Sequence, residues 1–442
     1  MTLLSSRLGV PSMIYIHTGD LHLGCTLSER GPLAEFYLKI LEEIADKAIS
    51  EKAPVLVAGD FFDSYNPDNY TLMTKVAESL RRLRDSGISV IAVQGNHDNA
   101  RSRHGVLDFY DASGLLKLTR YEEKEGWLVL YPLRIGDQVF YGIPGFRNQA
   151  ESRYIKEKRV VFKGLDEARK NSLIILAHVS IEFAGFKPSS YSYMYGRMDV
   201  LRDEFTGVLP PETRYVALGH IHLPIPSERV FKSNIAYPGA PIGMNAMDLR
   251  DSARLEKAGV KRRILLVDIS SDTPLVKAFE LQNTPRVIHE KVYTSNLDEL
   301  KKHLEKTIRD YTDYHSFIID VEGLRIESSG ELSRIVQELQ RKHSKLIHLK
   351  LTGEESVKSI LVGFNPSIEV TGELSVDELE AEILKEYVEK QGLRIPFEKV
   401  HEILRLMYEE REEKGESFYR SLYDKIKEAL REIYGKAENV GK

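Results

Sequence analysis

Aspartate, asparagine and histidine, whose side chains can bind metal ions, occur at five points along the chain, each directly after a mostly apolar run. These motifs are Gly19-Asp20-Leu21-His22, Gly59-Asp60, Gly95-Asn96-His97-Asp98, His178 and Gly219-His220-Ile221-His222. The runs that precede them, such as residues 54–58 and 91–94, are typical of buried strands. Ligands bind at the carboxyl ends of the strands in an open α/β sheet. The sequence therefore predicts that the five motifs meet at one edge and form one site.

The predicted site offers nitrogen and oxygen donors and no thiolate. The candidate metal ligands are Asp20, His22, Asp60, Asn96, His178, His220 and His222. This donor set suits Mn²⁺, Fe²⁺ or Zn²⁺ and disfavours a sulfur-based structural zinc site. Seven donors are too many for one ion, so we expect two ions about 3.5–4 Å apart that share a carboxylate. Such a pair polarises a phosphate and produces hydroxide from water, which predicts in-line attack on a phosphate ester.

His97 follows a predicted ligand, so we expect its side chain to face the substrate. There it can stabilise the transition state or protonate the leaving oxygen. Asp98 is predicted to orient His97 by accepting its other N–H, and capping of the loop is the alternative role for Asp98. Arg101, Arg103 and His104 follow on a loop and could contact phosphates, with an ordinary solvated loop as the alternative.

Length and composition limit the classes of protein that remain. A chain of 442 residues is long enough for two or three domains. The formal net charge of −5 excludes a basic nucleic-acid coat, so any nucleic-acid contact must use a local patch. Cys25 is the single cysteine, which excludes an intrachain disulfide and fits a reducing, intracellular compartment. We find neither the apolar core of a signal peptide nor a run long enough to span a membrane.

Strands that alternate with amphipathic helices position the predicted site. Apolar residues at helical spacing predict helices over residues 34–52 and 70–86, which with the first three strands complete two βαβ units. Residues 127–131 and 138–141 flank the turn at Gly136-Asp137 and predict a hairpin. We predict an α/β fold: a layered β-sandwich core flanked by helices over residues 13–270, preceded by a leader at residues 1–12.

The chain after residue 270 is predicted to hold three further segments. Residues 284–352 alternate as β-α-β-α-β without a ligand cluster, which indicates a small α/β accessory domain. Residues 353–375 are predicted to be a linker that contains Gly, Pro and Ser. Residues 376–442 follow as a helical region whose amphipathic helices span 376–434. Their apolar faces could bind a partner helix or dock back on their own domain.

In order and spacing, the five motifs resemble those of the calcineurin-like metallophosphoesterases: D-x-H, G-D, G-N-H-D, a lone H and G-H-x-H. The segments Gly19-Asp20-Leu21-His22-Leu23-Gly24 and Gly59-Asp60-Phe61-Phe62-Asp63 are similar to the nuclease subunit of the double-strand-break repair complex. That subunit forms the Mre-eleven family, called SbcD in bacteria. The resemblance implies a Mn²⁺-dependent DNA nuclease, active as a 3′–5′ exonuclease and a single-strand endonuclease, that is cytoplasmic and associated with the nucleoid.

The same resemblance implies cofactors, partners and roles for particular segments. It implies two Mn²⁺ per chain, with Mg²⁺ or another divalent ion as the alternative, and a homodimer. It also implies an SMC-like ATPase partner of the Rad-fifty or SbcC type, which the helical region at 376–442 would bind. Residues 284–352 would then be a capping domain that contacts DNA. Because of their place in the loop after the third motif, Arg101, Arg103 and His104 are predicted to bind DNA as well.

By motif position, the resemblance divides the ligands between the two ions. One ion would take Asp20, His22, Asp60 and His222, and the other would take Asp60, Asn96, His178 and His220, with Asp60 as the bridge. Asp63 departs from many archaeal and eukaryotic members, which carry a histidine at that position. A carboxylate cannot donate a hydrogen bond to a phosphate as that histidine can.

Two other classes of function share these motifs. A phosphodiesterase or phosphatase that acts on small molecules or nucleotides would need the same metal core. The accessory domain and the C-terminal helices favour the DNA nuclease, because an enzyme for small substrates needs neither. A non-catalytic scaffold would not require a complete set of seven donors.

Overall fold

A computed structural model describes residues 13–29, 31–100, 104–165, 173–183, 200–324, 329–352 and 358–360. The predicted leader at residues 1–12, Arg101, Arg103 and the helical region at 376–442 lie outside these described residues. In chain order the strands and helices are β1 (Ile14–Thr18), α1 (Thr26–Glu29), α2 (Ala34–Glu51), β2 (Val55–Ala58), α3 (Tyr70–Asp85), β3 (Val90–Val93), α4 (Val106–Ala112), β4 (Lys117–Leu118), β5 (Arg120–Lys124), β6 (Trp127–Tyr131), β7 (Leu133–Ile135), β8 (Gln138–Ile143), α5 (Ala150–Lys156), β9 (Val160–Phe162), β10 (Leu173–His178), α6 (Asp203–Val208), β11 (Thr213–Gly219), β12 (Val230–Lys232), β13 (Ile235–Ala236), α7 (Ala246–Lys257), β14 (Arg263–Asp268), β15 (Leu275–Glu280), β16 (Val287–Tyr293), α8 (Leu297–Asp310), β17 (Ser316–Glu322), α9 (Ser329–His343), β18 (Leu346–Thr352) and β19 (Lys358–Ile360).

The first sheet has seven strands in the order β12-β15-β14-β1-β2-β3-β4. Strands β1 to β4 are parallel, and β14 pairs antiparallel with β1. Every residue of β2 and β3 is buried, as expected for parallel strands that are covered on both faces. Because β15 belongs to this sheet, the sheet continues to Glu280, ten residues beyond the boundary that the sequence predicts.

The second sheet has five strands in the order β13-β11-β10-β8-β7, and all six residues of β10 are buried. An apolar layer joins the two sheets: Leu56 and Ile91 of the first sheet pack in one cluster with Ile174, Leu176 and Tyr215 of the second. This arrangement confirms the predicted α/β sandwich. The carboxyl ends of β1, β2, β3, β10 and β11 therefore lie close enough to share a site.

Helices cover the outer face of the first sheet. α2 and α3 begin and end within one residue of the predicted helices, and both bury an apolar stripe such as Ile40 and Ile44 of α2. The Asn69 side chain caps α3 by accepting a hydrogen bond from the Leu72 N–H at 3.0 Å. Among the described residues, no helix is long and apolar enough to cross a membrane.

The predicted hairpin at residues 127–141 is wrong in its first strand. The strand that pairs with β8 across Gly136-Asp137 is β7, while β6 pairs with β5 and β9 in a separate three-stranded sheet. Pro132 separates β6 from β7. Because proline lacks the N–H that a ladder requires, the chain changes sheets at this point.

The segment after residue 284 forms a four-stranded sheet in the order β16-β17-β18-β19, covered by α8 and α9. With its helices this sheet forms a core cluster of its own that includes Leu300, Phe317 and Leu349, while Val287 and Ile318 pack in a core cluster of the sandwich. Residues 358–360, within the predicted linker, form the strand β19, which pairs antiparallel with β18. α7 of the sandwich lies against this segment, where the Lys257 ammonium donates to the His289 carbonyl at 3.2 Å.

Candidate metal centre

All seven candidate ligands lie just beyond, or at the end of, strands of the sandwich. Asp20 follows β1, Asp60 follows β2 and Asn96 follows β3, while His178 ends β10 and His220 follows β11. Four of the seven have a positive φ: Asp20 (53°), His22 (46°), Asp60 (47°) and His220 (95°). A positive φ costs free energy in residues other than glycine. The surrounding structure therefore holds these backbones in place against local strain.

Glycines allow the strand ends to approach each other closely. Gly59 has a φ of 90°, and a Cβ there would overlap the ring of His178. A Cβ at Gly95 would overlap the carboxylate of Asp60. Gly95 is thus needed for space, and Gly59 is needed both for space and for its positive φ.

The ligand atoms of the seven residues converge. The Nε2 atoms of His22 and His222 lie 3.2 Å apart, and the Nδ1 atom of His220 lies 3.2 Å from Nε2 of His178. The Asn96 Oδ1 atom lies 3.0 Å from each of these last two nitrogens. Three overlapping groups of atoms could each hold an ion: Asp20 with His22 and His222, Asp20 with Asp60 and His178, and His22 with Asp60 and His97.

Asp60 lies between the two ends of this cluster. Its Oδ2 atom is 3.6 Å from Nε2 of His22 and 3.2 Å from Nε2 of His178. Burial alone would raise the pKa of Asp60, but the adjacent His178 and His22 hold it well below its usual value. The carboxylate is therefore charged and faces histidines at both ends of the cluster.

In three of the histidines, the ring nitrogen that points away from the cluster (the outer nitrogen) has a hydrogen-bond partner. Nδ1 of His22 lies 3.1 Å from Asp63 Oδ1, Nδ1 of His178 lies 2.9 Å from the Ala58 carbonyl, and Nδ1 of His222 lies 2.7 Å from Asp248 Oδ2. Each of these partners accepts, so Nδ1 is assigned a proton and Nε2 is the nitrogen directed into the cluster. Metal-binding histidines show this same pattern. The residues present therefore fit a divalent cation.

The site concentrates buried charge. Desolvation raises the pKa of Asp20, and burial together with the neighbouring His178 lowers the pKa of His220 to about 3. His220 is therefore neutral near pH 7, which is the form that binds a metal. Burial works to lower the pKa of His178, but the charge of Asp60 outweighs it and raises the pKa to about 10. The two carboxylates, Asp20 and Asp60, are the groups of the cluster that attract cations.

His97 stands at the edge of the cluster, with 32% of its side chain exposed. Its Nδ1 atom lies 3.0 Å from Asp63 Oδ1 and 3.2 Å from the Asp63 carbonyl. Its backbone N–H donates to Asp60 at 2.9 Å. Burial works to lower the pKa of His97, but the hydrogen bond to Asp63 and the charge of Asp60 outweigh it and raise the pKa to about 9.

Asp98 does not orient His97, contrary to the prediction from the sequence. The Asp98 carboxylate is fully buried and accepts the backbone N–H groups of Gly95 at 2.7 Å, Phe61 at 2.8 Å and Phe62 at 3.3 Å. These bonds hold the turn after β3 against the loop after β2, which is the capping role that was the alternative. Asp63 takes the orienting role, and its only signal in the sequence was its place three residues after Asp60.

Two further residues support the cluster and escaped the sequence analysis. Asp248, in the first turn of α7, contacts His222, and Arg262 donates to the His222 carbonyl at 2.5 Å. Both lie far along the chain from the five motifs, so spacing could not reveal them. Of the three predicted phosphate contacts, only His104 is described: its side chain is 94% exposed and lies 3.7 Å from Asp108.

Comparison with known proteins gives a consistent result. Residues 13–224 match the family described as calcineurin-like phosphoesterase, which confirms the resemblance read from the motifs. The chain is 25% identical over 265 residues to the DNA double-strand break repair protein Mre11 of Methanopyrus kandleri, covering 56% of this chain and 52% of that protein. This match thus spans about half of that relative's length.

Two other relatives match over more of their length. The Mre11 protein of Saccharolobus solfataricus is 26% identical over 344 residues, covering 76% of this chain and 78% of that protein. The SbcD subunit of the nuclease SbcCD of Bacillus subtilis is 24% identical over 366 residues, covering 78% of this chain and 87% of that protein. The names of these archaeal and bacterial relatives agree with the similarity of the first two motifs to the Mre-eleven family, called SbcD in bacteria.

Proposed function

Because residues 13–224 match the calcineurin-like phosphoesterase family, we propose that this chain is a DNA nuclease that processes ends in double-strand-break repair. The observation that carries the proposal is the convergence of seven nitrogen and oxygen donors, with the outer nitrogens of three histidines already bonded. The names of the relatives support DNA as the substrate. We propose 3′–5′ exonuclease and single-strand endonuclease activity, in the cytoplasm with the nucleoid.

We propose that the seven donors hold two Mn²⁺ ions. Asp20, His22, Asp60 and His222 would hold one ion, and Asp60, Asn96, His178 and His220 the other. The position of Asp60 Oδ2 between His22 and His178 supports a shared carboxylate. When bound, two such ions supply Lewis-acid polarisation of the phosphate and a nucleophile derived from water at neutral pH. Mg²⁺ has the same oxygen preference but binds imidazole less well.

His97 is proposed to act on the phosphate and not as a ligand. Asp63 holds its Nδ1 atom, so Nε2 is the nitrogen that remains for the substrate. The raised pKa keeps a proton on the ring at neutral pH, and this proton can be given to the leaving oxygen. Asp63, whose carboxylate is occupied by His22 and His97, then acts through these two rings and not on the phosphate itself.

Self-association is proposed to use the exposed aromatic residues of α3 and α4. Tyr70 is 80% exposed and Phe109 is 59% exposed. A hydrogen bond at 2.8 Å from the Tyr110 hydroxyl to the Met73 carbonyl joins the two helices, and we propose that their exposed side chains form one surface. Exposed aromatic groups of this size are typical of interfaces. We propose a homodimer through this surface.

The helical region at residues 376–442 is proposed to bind an SMC-like ATPase of the Rad-fifty or SbcC type. A chain that ends near Gly372 should fold, bind Mn²⁺ and cut single-stranded DNA, but should fail to elute with the ATPase in size-exclusion chromatography. Aggregation of the shortened chain, or loss of its metal, would show that the helices belong to the nuclease's own fold.

We propose residues 284–352 as a DNA-contacting cap, together with the loop at Arg101, Arg103 and His104.

One assay tests the nuclease proposal. The chain is incubated with linear duplex DNA, with single-stranded DNA and with a small phosphodiester, each in the presence of Mn²⁺, Mg²⁺ or EDTA. We expect cleavage of both DNAs with Mn²⁺ and none with EDTA. If the small ester is hydrolysed rapidly while both DNAs stay intact, the result would instead favour a small-substrate phosphodiesterase. No hydrolysis under any condition would favour a scaffold.

A further inference from the structure

A buried carboxylate outside the five motifs holds one of the proposed ligands. Asp248 Oδ2 lies 2.7 Å from Nδ1 of His222, and both side chains are buried. We propose that Asp248 is a positioning residue that fixes the ring and the tautomer of His222, and so tunes one of the two ions and not the other. This inference rests on the metal centre of the proposed function.

The start of α7 is built to hold this carboxylate in place. The Asn245 side chain caps the helix by accepting the N–H groups of Met247 at 2.9 Å and Asp248 at 3.0 Å. The Met244 N–H donates to Asp248 Oδ2 at 3.2 Å, so the carboxylate has a backbone donor as well as the imidazole. The Asp248 side chain thus has little freedom to leave His222.

Arg262 ties the carboxylate and the histidine to each other through their backbones. Its buried guanidinium donates to the carbonyls of His222 at 2.5 Å and Asp248 at 2.9 Å. A third bond, from Nε to the Ser252 hydroxyl at 3.0 Å, anchors it to the next turn of α7. The helix therefore fixes the His222 backbone and its side chain together.

His222 and His178 lie at opposite ends of the cluster, and the hydrogen-bond partners of their outer nitrogens differ in charge. His178 donates its outer N–H to a neutral carbonyl, that of Ala58, whereas His222 faces a carboxylate. A carboxylate partner keeps the proton on Nδ1 and makes Nε2 a stronger donor to a metal. That Nε2 atom lies 3.2 Å from Nε2 of His22, so the effect falls on the ion that those two rings share.

Calorimetric titration of the full chain with Mn²⁺ alone tests the inference. In Asp248→Asn we expect the affinity of one ion to fall by about 10–100-fold, the usual cost of losing such a partner, while the other changes less than about twofold. Asp248→Glu, which keeps the charge, should recover most of the loss. Asp251→Asn is the matched control, because Asp251 is equally buried in α7 but pairs with Arg254 at 3.1 Å.

A second comparison separates positioning from a general loss of structure. If Asp248 acts through His222, Asp248→Asn should change neither ion's affinity further when added to His222→Ala. Asp248→Ser, a smaller neutral acceptor, replaces Asp248→Asn if the latter does not fold. Two ions bound equally by the wild type and Asp248→Asn would overturn only the role of Asp248. A wild-type chain that binds no Mn²⁺ would overturn the proposed metal centre as well.

Discussion

Replacement of Asp63 by asparagine tests how the proposed proton donor is held. One carboxylate oxygen, Oδ1, lies 3.0 Å from Nδ1 of His97 and 3.1 Å from Nδ1 of His22. Asparagine keeps the shape of the side chain and removes its charge. The variant therefore weakens a charge-assisted hydrogen bond to the ring without opening a cavity.

The size of the effect follows from that bond. Hydrogen bonds to charged groups contribute about 1.5–3 kcal/mol. At about 1.4 kcal/mol per tenfold change in rate, kcat should fall by roughly 10–100-fold if the bond matters mainly in the transition state. The same substitution weakens the hydrogen bond between Asp63 and His22, so the assay requires a saturating concentration of Mn²⁺.

The pH dependence gives the sharper readout. Burial lowers the pKa of His97, but Asp63 and Asp60 outweigh it and raise the pKa to about 9, so the protonated ring persists at neutral pH and is lost as the pH rises through about 9. Without the charge of Asp63 the pKa falls. The alkaline limb of the kcat profile should therefore move to lower pH in Asp63→Asn.

Two control variants test whether Asp63 is the partner of His97. Asp98→Asn should destabilise the turn after β3 and leave the alkaline limb in place, because Asp98 bonds to backbone amides and not to His97. Asp63→Asn added to His97→Ala should cost no further rate at saturating Mn²⁺. An unmoved alkaline limb in Asp63→Asn, or a limb that moves in Asp98→Asn, would refute the assignment of Asp63 as the partner of His97.

Two other substitutions probe the rate and the stability. His97→Ala should keep both ions and lose about 10²–10⁴-fold in rate, the usual scale for a general acid, and loss of metal from this variant would make His97 a ligand. His17 is buried between the sheets, where desolvation lowers its pKa to about 3. In the unfolded chain, the His17 ring takes up a proton as the pH falls below about 6.5. Stability should therefore fall as the pH drops from 6.5 towards 3, by about 2 kcal/mol at pH 5. His17→Gln should remove this part of the pH dependence in urea titrations, and identical pH dependence in the two proteins would contradict the assignment.

Local patterns were sufficient to predict much of the fold and of the cluster. α2 and α3 carry an apolar residue every three or four positions, and each ends within one residue of its prediction. The seven candidate ligands converge because each follows a strand whose burial is evident from a continuous apolar run. Such features depend on neighbours within a few residues, which a sequence displays directly.

Features that depend on distant neighbours could not be predicted in this way. Asp98 is adjacent to His97 in the chain, but the amides of the turn after β3 and of the loop after β2 bind its carboxylate. Asp63, 34 residues before His97, reaches the ring instead. Asp248 contacts His222 from a helix 26 residues later, with no periodicity that links the two. In each case the fold and not the spacing selects the partner.

The shared carboxylate is the central claim, and the metal content of Asp60→Ala tests it most directly. Bound Mn²⁺ is counted per chain by elemental analysis in the wild type and in Asp60→Ala, and DNA cleavage is measured on the same samples. Because Asp60 Oδ2 faces histidines at both ends of the cluster, we predict two ions in the wild type. We predict fewer than two ions and no cleavage in the variant. An Asp60→Ala chain with wild-type metal content and full activity would contradict the two-metal assignment.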